Sequence, residues 1–300
     1  MKRFLSWFFS ILSCLIVLAL VIEFCYLPDY FLNDKPVSLE DREESSETVV
    51  MSANVRFINP LDFFTKSWFF RAKLIRDDLQ LVAPDVVGFQ EVTPVHYEYL
   101  KKILPDYESA ICYRDDFILS EGCPIFYRTD TYEKVDGGSF WLSETPEEMS
   151  KSWGSSHYRV ATYMILREKE TGREFVVFNT HLDNESEEAR IEGIALVVKK
   201  IREFGSLPAL LMGDLNAEPD TQTLLSTKED FEDSHEIAAS ADNGATYHNF
   251  GKQLDRERID YILLSKDDFT VSEYRIVDNG RSGEYSSDHS PIYIKLNFAE

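Results

Sequence analysis

Phe175-Val176-Val177-Phe178-Asn179-Thr180-His181-Leu182-Asp183 sets four apolar residues in a row against an amide, a hydroxyl, an imidazole and a carboxylate. An unbroken run of β-branched and aromatic side chains reads as a strand covered on both faces. Polar groups crowded at its end belong at the rim of a core. The pattern recurs outward from this stretch. Val49-Val50-Met51-Ser52-Ala53-Asn54 ends in an amide, and Val86-Val87-Gly88-Phe89-Gln90-Glu91 ends in Gln-Glu. Leu210-Leu211-Met212-Gly213-Asp214-Leu215-Asn216-Ala217 ends in Gly-Asp-Leu-Asn-Ala. Arg258-Ile259-Asp260-Tyr261-Ile262-Leu263 opens a strand, and Ser286-Ser287-Asp288-His289-Ser290-Pro291 precedes the last one.

Strands are expected at 48–54, 86–90, 125–127, 161–166, 175–179, 209–212, 259–264, 269–275 and 291–296. Helices are expected at 71–82, with Leu74, Ile75, Leu79 and Val82 at helical spacing, and at 186–204, with Ala189, Ile191, Ile194, Val197, Val198 and Ile201 on one face. Many strands with a few amphipathic helices between them predict an α/β fold, two packed sheets covered by helices. No repeat or low-complexity run interrupts residues 49–300, which read as one domain.

Composition limits the function. The 300 residues carry 31 basic and 53 acidic side chains, a net charge of −22, with 44% hydrophobic content. That is enough apolar material for a core and excludes a disordered or collagen-like chain. Four cysteines do not make a disulfide scaffold. The acidic balance argues against a protein that grips long nucleic acid through phosphate contacts, which need clustered Lys and Arg.

Residues 4–22 are uncharged, preceded by Lys2 and Arg3 and followed by Asp29, Asp34, Glu40, Asp41, Glu43, Glu44 and Glu47. A run of ~20 apolar residues spans the hydrocarbon layer as a helix, and basic residues stay on the cytoplasmic side. Residues 1–28 are therefore expected to be a single-pass anchor, 29–48 an acidic tether, and 49–300 a domain facing outside at the cell membrane. The rival, a cleaved signal peptide, has a shorter apolar region and a small-x-small site that is not found here. A lipoprotein reading on Ile11-Leu12-Ser13-Cys14 is disfavoured because the apolar run continues past Cys14. Cys112 and Cys123 flank residues 113–122; two unpaired thiols are the preferred reading over an oxidised pair.

Taken singly, each strand-end residue has an ordinary explanation: a turn Asn, a helix-capping Glu, a half-buried His, an Asp paired with Arg258. Jointly these explanations fail, because loops have no reason to combine Asn, Glu, His, Asp-x-Asn, Asp and Asp-His at the ends of buried strands. Metal-assisted phosphoester hydrolysis does need such a set: oxygen ligands for a hard cation, a base for water, and donors for phosphoryl oxygens. There is no Gly-x-Ser-x-Gly, phosphate-cradling Gly-rich loop or His-Glu-x-x-His to compete.

From about Val49 to Leu296 the chain resembles the endonuclease/exonuclease/phosphatase superfamily, which includes deoxyribonucleases, abasic-site endonucleases, neutral sphingomyelinases, inositol-polyphosphate 5-phosphatases and deadenylases. The resemblance is carried by Asn179-Thr180-His181-Leu182-Asp183, Gly213-Asp214-Leu215-Asn216-Ala217, Arg258-Ile259-Asp260-Tyr261 and Ser287-Asp288-His289. Phe140-Trp141-Leu142-Ser143-Glu144-Thr145-Pro146 and Arg159-Val160-Ala161-Thr162 are similar to a bacterial branch whose substrates are mostly unassigned. The resemblance implies a four-layer α/β sandwich of two mainly antiparallel sheets, and Mg2+ as cofactor with Mn2+ as a substitute. It implies Glu91 as the principal metal ligand, with Asn54 beside it and Asp288 serving the same site. Asp214 is implied as the residue directing the attacking water and Asn216 as its helper. His289 is implied as the donor to a phosphoryl oxygen, held by Asp260, and His181 as a contact of the scissile phosphate. The Asn-Thr-His-Leu sequence sets the chain apart from the abasic-site endonucleases.

Substrate identity is less legible. Arg114 and Arg159 are the candidate phosphate ligands, with surface ion pairing as the alternative. Trp141 and Trp153 are candidates to stack on a base or sugar, and His248 lies where family loops shape substrate choice. The favoured reading is a monomeric outward-facing phosphodiesterase or phosphatase acting on small or lipid-linked phosphoesters. The alternatives are a surface nuclease and a catalytically inactive binding module.

Overall fold

The computed structural model of the chain describes residues 2–28, 35–39, 47–253, 257–281 and 283–299. After helix α1 (Lys2–Pro28) the chain forms β1 (Thr48–Asn54), α2 (Trp68–Val82), β2 (Val86–Gln90), α3 (Pro94–Ile103), β3 (Tyr107–Ala110), β4 (Ile125–Arg128) and β5 (Tyr132–Trp141). Then come β6 (Val160–Glu168), β7 (Glu174–His181), α4 (Glu187–Arg202), β8 (Ala209–Asp214), α5 (Gln222–Leu225), β9 (Phe231–Asp233) and α6 (Ser234–Ile237). The described chain closes with β10 (Ser240–Ala241), β11 (Asp260–Ser265), β12 (Phe269–Ile276), a small hairpin of β13 (Gly280–Arg281) and β14 (Glu284–Tyr285), and β15 (Ile292–Phe298).

The two-residue period of the strands decides the layers. Val50, Val86, Phe175, Val177, Leu210, Met212, Ile262 and Ile294 form one buried cluster between the sheets. Their alternates Met51, Val87 and Phe89 pack on Trp68, Ile75 and Leu79 of α2 and on Leu100 and Ile103 of α3. On the far side Val176, Phe178, Leu211, Tyr261 and Leu263 pack on Ile194, Val197 and Ile201 of α4. The result is helix, sheet, sheet, helix, in which both faces of the central strands are buried. That is why those strands read as continuous apolar runs. A fully buried Val or Phe here contributes about 2–3 kcal/mol.

One sheet has the order β10-β12-β15-β1-β2-β4-β3 and the other β5-β6-β7-β8-β11-β9. Antiparallel pairing predominates, as expected, but each sheet has a parallel pair at its centre: β1 with β2 and β7 with β8. The crossovers run through α2 and α4, which lie on the outer faces. Helix α4 is specified locally by the Ser186 hydroxyl accepting from Ala189 N at 3.2 Å, by Glu187 and Glu188 in its first turn, and by Lys199, Lys200 and Arg202 in its last. The topology sends the C-terminal ends of β1, β2, β7 and β8 to one end of the sandwich.

Two expectations need correction at the N-terminus. The membrane span is not found: among the described residues no helix is long and apolar enough to cross a membrane. Helix α1 forms over 27 residues, and within it the side chains of residues 5 and 7–21 are described. Of the acidic tether, residues 29–34 and 40–46 lie outside the described residues. Residues 35–39 do not hang free. Val37 is buried and its N–H donates to Ile103 O at 2.8 Å, while Ser38 exchanges two 2.7 Å hydrogen bonds with the Gln80 amide. Strand β5 was not expected either. It is a sheet edge with exposed residues 133–136 and Gly137-Gly138, so it lacks an apolar rhythm.

Candidate active site

Strand parity delivers the site. Asn54 and Gln90 end β1 and β2 on the inward-facing rows, His181 and Asp214 end β7 and β8, and Asp260 begins β11 opposite Asp214. The inner faces of both sheets therefore finish, at one end, in polar groups. Beneath them Gln90 Nε2 donates to Asn179 Oδ1 at 2.7 Å, and Asn179 Nδ2 donates to the carbonyls of Phe89 and Pro124, both at 2.8 Å. Asn179 thus pins one sheet to the other directly below the site. Gly213 is required here: its φ is +149°, and a Cβ would sit 1.9 Å from Thr180 O on the neighbouring strand.

Asp214 is the centre of the arrangement. Its Oδ1 accepts from Asn216 N at 2.9 Å and its Oδ2 from Asn54 Nδ2 at 3.0 Å. The same Oδ2 lies 3.4 Å from His181 Nε2 and 3.7 Å from His289 Nε2. Asn54 Nδ2 also donates to Glu91 Oε1 at 3.0 Å, and Glu91 Oε2 accepts from Phe57 N at 2.7 Å. Glu91 and Asn216 stand at φ +62° and +48°, so each turns sharply out of its strand toward the opening. Asn216 Nδ2 donates to Leu182 O at 3.0 Å.

The two histidines are held in opposite charge states. His289 Nδ1 sits 2.9 Å from Asp260 Oδ2. Burial disfavours its charge, but Asp260 and Asp214 outweigh burial and raise its pKa to about 10. His289 is therefore an imidazolium at neutral pH. His181 is pushed well below the ordinary histidine range by burial and by the Arg159 and Arg114 guanidiniums, and is neutral. Asp214 is pushed up to about 7 by burial and by Asp260.

These groups line a cavity of about 570 Å³, with Arg114, Glu121, His157, Arg159 and Asn184 on the wall beyond His181. Both candidate phosphate ligands are there. Arg114 is gripped by Glu121 through two 2.8 Å contacts, and buried Arg159 donates to Asn184 Oδ1 at 3.1 Å. Glu121 is pushed up to about 7 by burial and the nearby Glu91. Sequence reading missed Glu121 and Arg56, while His157 and Tyr247, noted in the segments between the motifs, line the cavity. Only the close spacing of Arg114 and Glu121 across a turn could have signalled the first, and Arg56 carries no local signature.

Asp288 does line the cavity, its buried carboxylate paired to Arg56 Nη1 at 3.1 Å. Some candidates sit elsewhere. Trp141 and Trp153 are not among the cavity-lining residues; the Trp141 indole N–H donates to Arg114 O at 2.8 Å. Buried His248 contacts Asn279 Oδ1 at 3.2 Å and packs on Tyr285, bracing the loop beside the site. Cys112 and Cys123 are free thiols.

The donor set fits a divalent metal ion. Glu91, His181 and Asp214 bring ligand atoms within 4.8 Å of one another, as do Asp214, Asp260 and His289. In the second group the His289 Nδ1 contact to Asp260 is an Asp–His hydrogen bond. The first, with the Asn54 amide beside it, opens to the cavity and offers hard oxygens. A cation beside Glu91 would also face the buried Asp214 carboxylate, which burial and Asp260 push up.

The sequence profile of the endonuclease/exonuclease/phosphatase family matches residues 51–289. An endonuclease/exonuclease/phosphatase from Bacteroides vulgatus superposes with a TM-score of 0.80 at 30% identity, over 85% of this chain and 100% of that one. A mannosyl-6-phosphatase from Bacteroides thetaiotaomicron superposes with a TM-score of 0.77 at 33% identity, over 84% of this chain and 100% of that one. By sequence, Nocturnin of Drosophila melanogaster is 29% identical over 168 residues. That match takes in 51% of this chain and only 25% of the fly protein.

Proposed function

The chain belongs to the endonuclease/exonuclease/phosphatase family and is a phosphoester hydrolase, and from that premise we propose that it is a Mg2+-dependent hydrolase of small, hydrophilic phosphoesters. The observation that carries the proposal is the cavity. Its 570 Å³ suits one small ligand, with the Asp214–His289 pair on one side and the Arg114 and Arg159 guanidiniums, beside His157, on the other. A nuclease acting on long polymers would want a basic track running beyond the cavity, which a net charge of −22 disfavours. The likeness to a mannosyl-6-phosphatase supports a sugar-phosphate-like substrate.

Asp214 Oδ2, reached by Asn54, His181 and His289, is the acceptor for a proton from water, and Asn54 and Asn216 orient that water. His289 donates through Nε2 to a phosphoryl oxygen while Asp260 fixes its ring through Nδ1. Neutral His181 offers a hydrogen bond near the leaving group without adding charge. Arg159 and Arg114 hold the remaining phosphate oxygens, Arg114 being pre-aimed by Glu121. Glu91, with Asn54 beside it and Asp288 behind, would hold the metal ion next to Asp214. When bound, a cation there polarises the phosphoryl group and offsets its developing charge.

Turnover of a panel tests this reading: p-nitrophenyl phosphate, hexose 6-phosphates, a chromogenic phosphodiester, single- and double-stranded DNA, RNA and sphingomyelin. Metal-dependent release from small esters, at least tenfold above the polymers in kcat/KM, is the expected outcome. Turnover confined to nucleic acid would establish a nuclease instead.

A further inference from the structure

Helix α2 carries Trp68, Ala72, Ile75 and Leu79 on its buried face, and in their midst Arg71, which is 0% exposed. A cation in such a place needs a reason. Its four hydrogen bonds all end on backbone carbonyls: Nε to Lys66 O at 2.7 Å, Nη1 to Val55 O at 2.9 Å and to Ser286 O at 2.5 Å, and Nη2 to Arg56 O at 3.2 Å. The ring faces of Trp68 and Phe250 lie 5.7 and 5.8 Å from its Cζ.

Those carbonyls belong to three separate chain segments. Val55 and Arg56 follow Asn54 at the end of β1, where Arg56 turns to φ +58° and leaves the strand ladder. Ser286 lies just ahead of Asp288 and His289. Lys66 precedes α2. Buried carbonyls off the ladder must find donors, and a guanidinium fork presents five N–H groups in fixed directions. From Arg56 the chain of contacts runs on: its N–H donates to Asn54 Oδ1 at 2.9 Å, and its Nη1 to Asp288 Oδ2 at 3.1 Å. Asn54 in turn touches both Glu91 and Asp214.

We infer that Arg71 is a positioning residue, whose buried guanidinium fixes the spacing between the Asn54–Arg56 segment on the metal side and the Ser286–His289 segment on the phosphoryl side. The inference rests on the catalytic reading of the site. Burial lowers the Arg71 pKa only to about 10, so the fork stays charged and fully protonated at neutral pH. A purely structural plug would be served by Met or Lys of similar length. A spacer joining four carbonyls is not, because an ammonium offers three donors from one point.

The test uses the full chain with p-nitrophenyl phosphate as the probe, comparing Arg71→Lys and Arg71→Ala with wild type. Arg71→Lys is expected to lose at least tenfold in kcat with KM changed less than threefold, because a misplaced site weakens the transition state more than the ground state. In Arg71→Ala, methylguanidinium should restore kcat at least tenfold without altering the circular dichroism spectrum, and should leave wild type unaffected. Binding of Mn2+, read by its electron paramagnetic resonance, should weaken at least fivefold in Arg71→Ala and recover with methylguanidinium. Wild-type kcat in Arg71→Lys, or a loss in Arg71→Ala that follows only the unfolded fraction and resists rescue, would overturn the inference. If wild type itself does not turn over the probe, the catalytic reading fails there, and the Mn2+ titration alone still decides for or against Arg71.

Discussion

Asp214→Asn is expected to lower kcat by roughly 10³-fold or more, the loss of a positioned base being worth ~10²–10⁴, while the melting temperature moves by only a few degrees. The side chain keeps its shape, so the 2.9 Å contact from Asn216 N survives. Its amide nitrogen must then face Asn54 Nδ2, which forfeits one hydrogen bond of about 1 kcal/mol. Against that, the substitution neutralises a carboxylate whose charge burial and the nearby Asp260 disfavour, pushing its pKa up to about 7. The two effects offset one another in stability but not in catalysis. Steady-state kinetics beside a thermal melt check both. A variant retaining more than a tenth of wild-type kcat would remove Asp214 from its role.

His289→Gln is expected to cost roughly 10²–10³-fold in kcat, the usual effect of deleting one donor aimed at developing charge. Gln reaches the same region but carries no charge and cannot use Asp260 as His289 does at 2.9 Å. The pH dependence has a definite sign. The folded-state pKa of about 10 lies above the ordinary value of 6.5. The pairing therefore stabilises the fold fully below about pH 6.5, and that contribution is lost as pH rises through about 10. Wild type should lose melting temperature over this window relative to His289→Gln. Parallel melting curves from pH 6 to 10 would show that the imidazolium is not what Asp260 holds.

The central strands were legible because burial on both faces writes itself as an apolar run. Strands β1 and β2 fall at residues 48–54 and 86–90 as the sequence indicates. The catalytic set was legible for a related reason: Asn54, His181 and Asp214 are the points where inward rows pass from core to cavity, so polarity changes abruptly there. What escaped was whatever depends on chain segments distant in sequence. Edge strand β5 has no apolar rhythm, and Glu121 gains meaning only because the fold sets it against Arg114 and near Glu91. The Arg56 partner of Asp288, 232 residues away in the chain, likewise leaves no trace in the sequence around either residue. Arg71 looked like the start of an amphipathic helix, since four backbone carbonyls leave no trace in a sequence. The N-terminal run was plain as composition, yet among the described residues no helix is long and apolar enough to cross a membrane.

Metal dependence is the claim on which the rest stands, and a titration of wild type beside Glu91→Gln tests it most directly. Full-length protein stripped with a chelator is assayed on p-nitrophenyl phosphate and on a chromogenic phosphodiester while Mg2+ is returned. Glu91 faces the cavity with one oxygen on Asn54 and the other on Phe57 N, so losing its charge should weaken the cation's hold without unfolding the site. The account predicts no turnover in the stripped enzyme, full recovery with Mg2+, and a half-saturating concentration raised at least tenfold in Glu91→Gln. Undiminished turnover in chelator, or identical titrations for the two proteins, would contradict it.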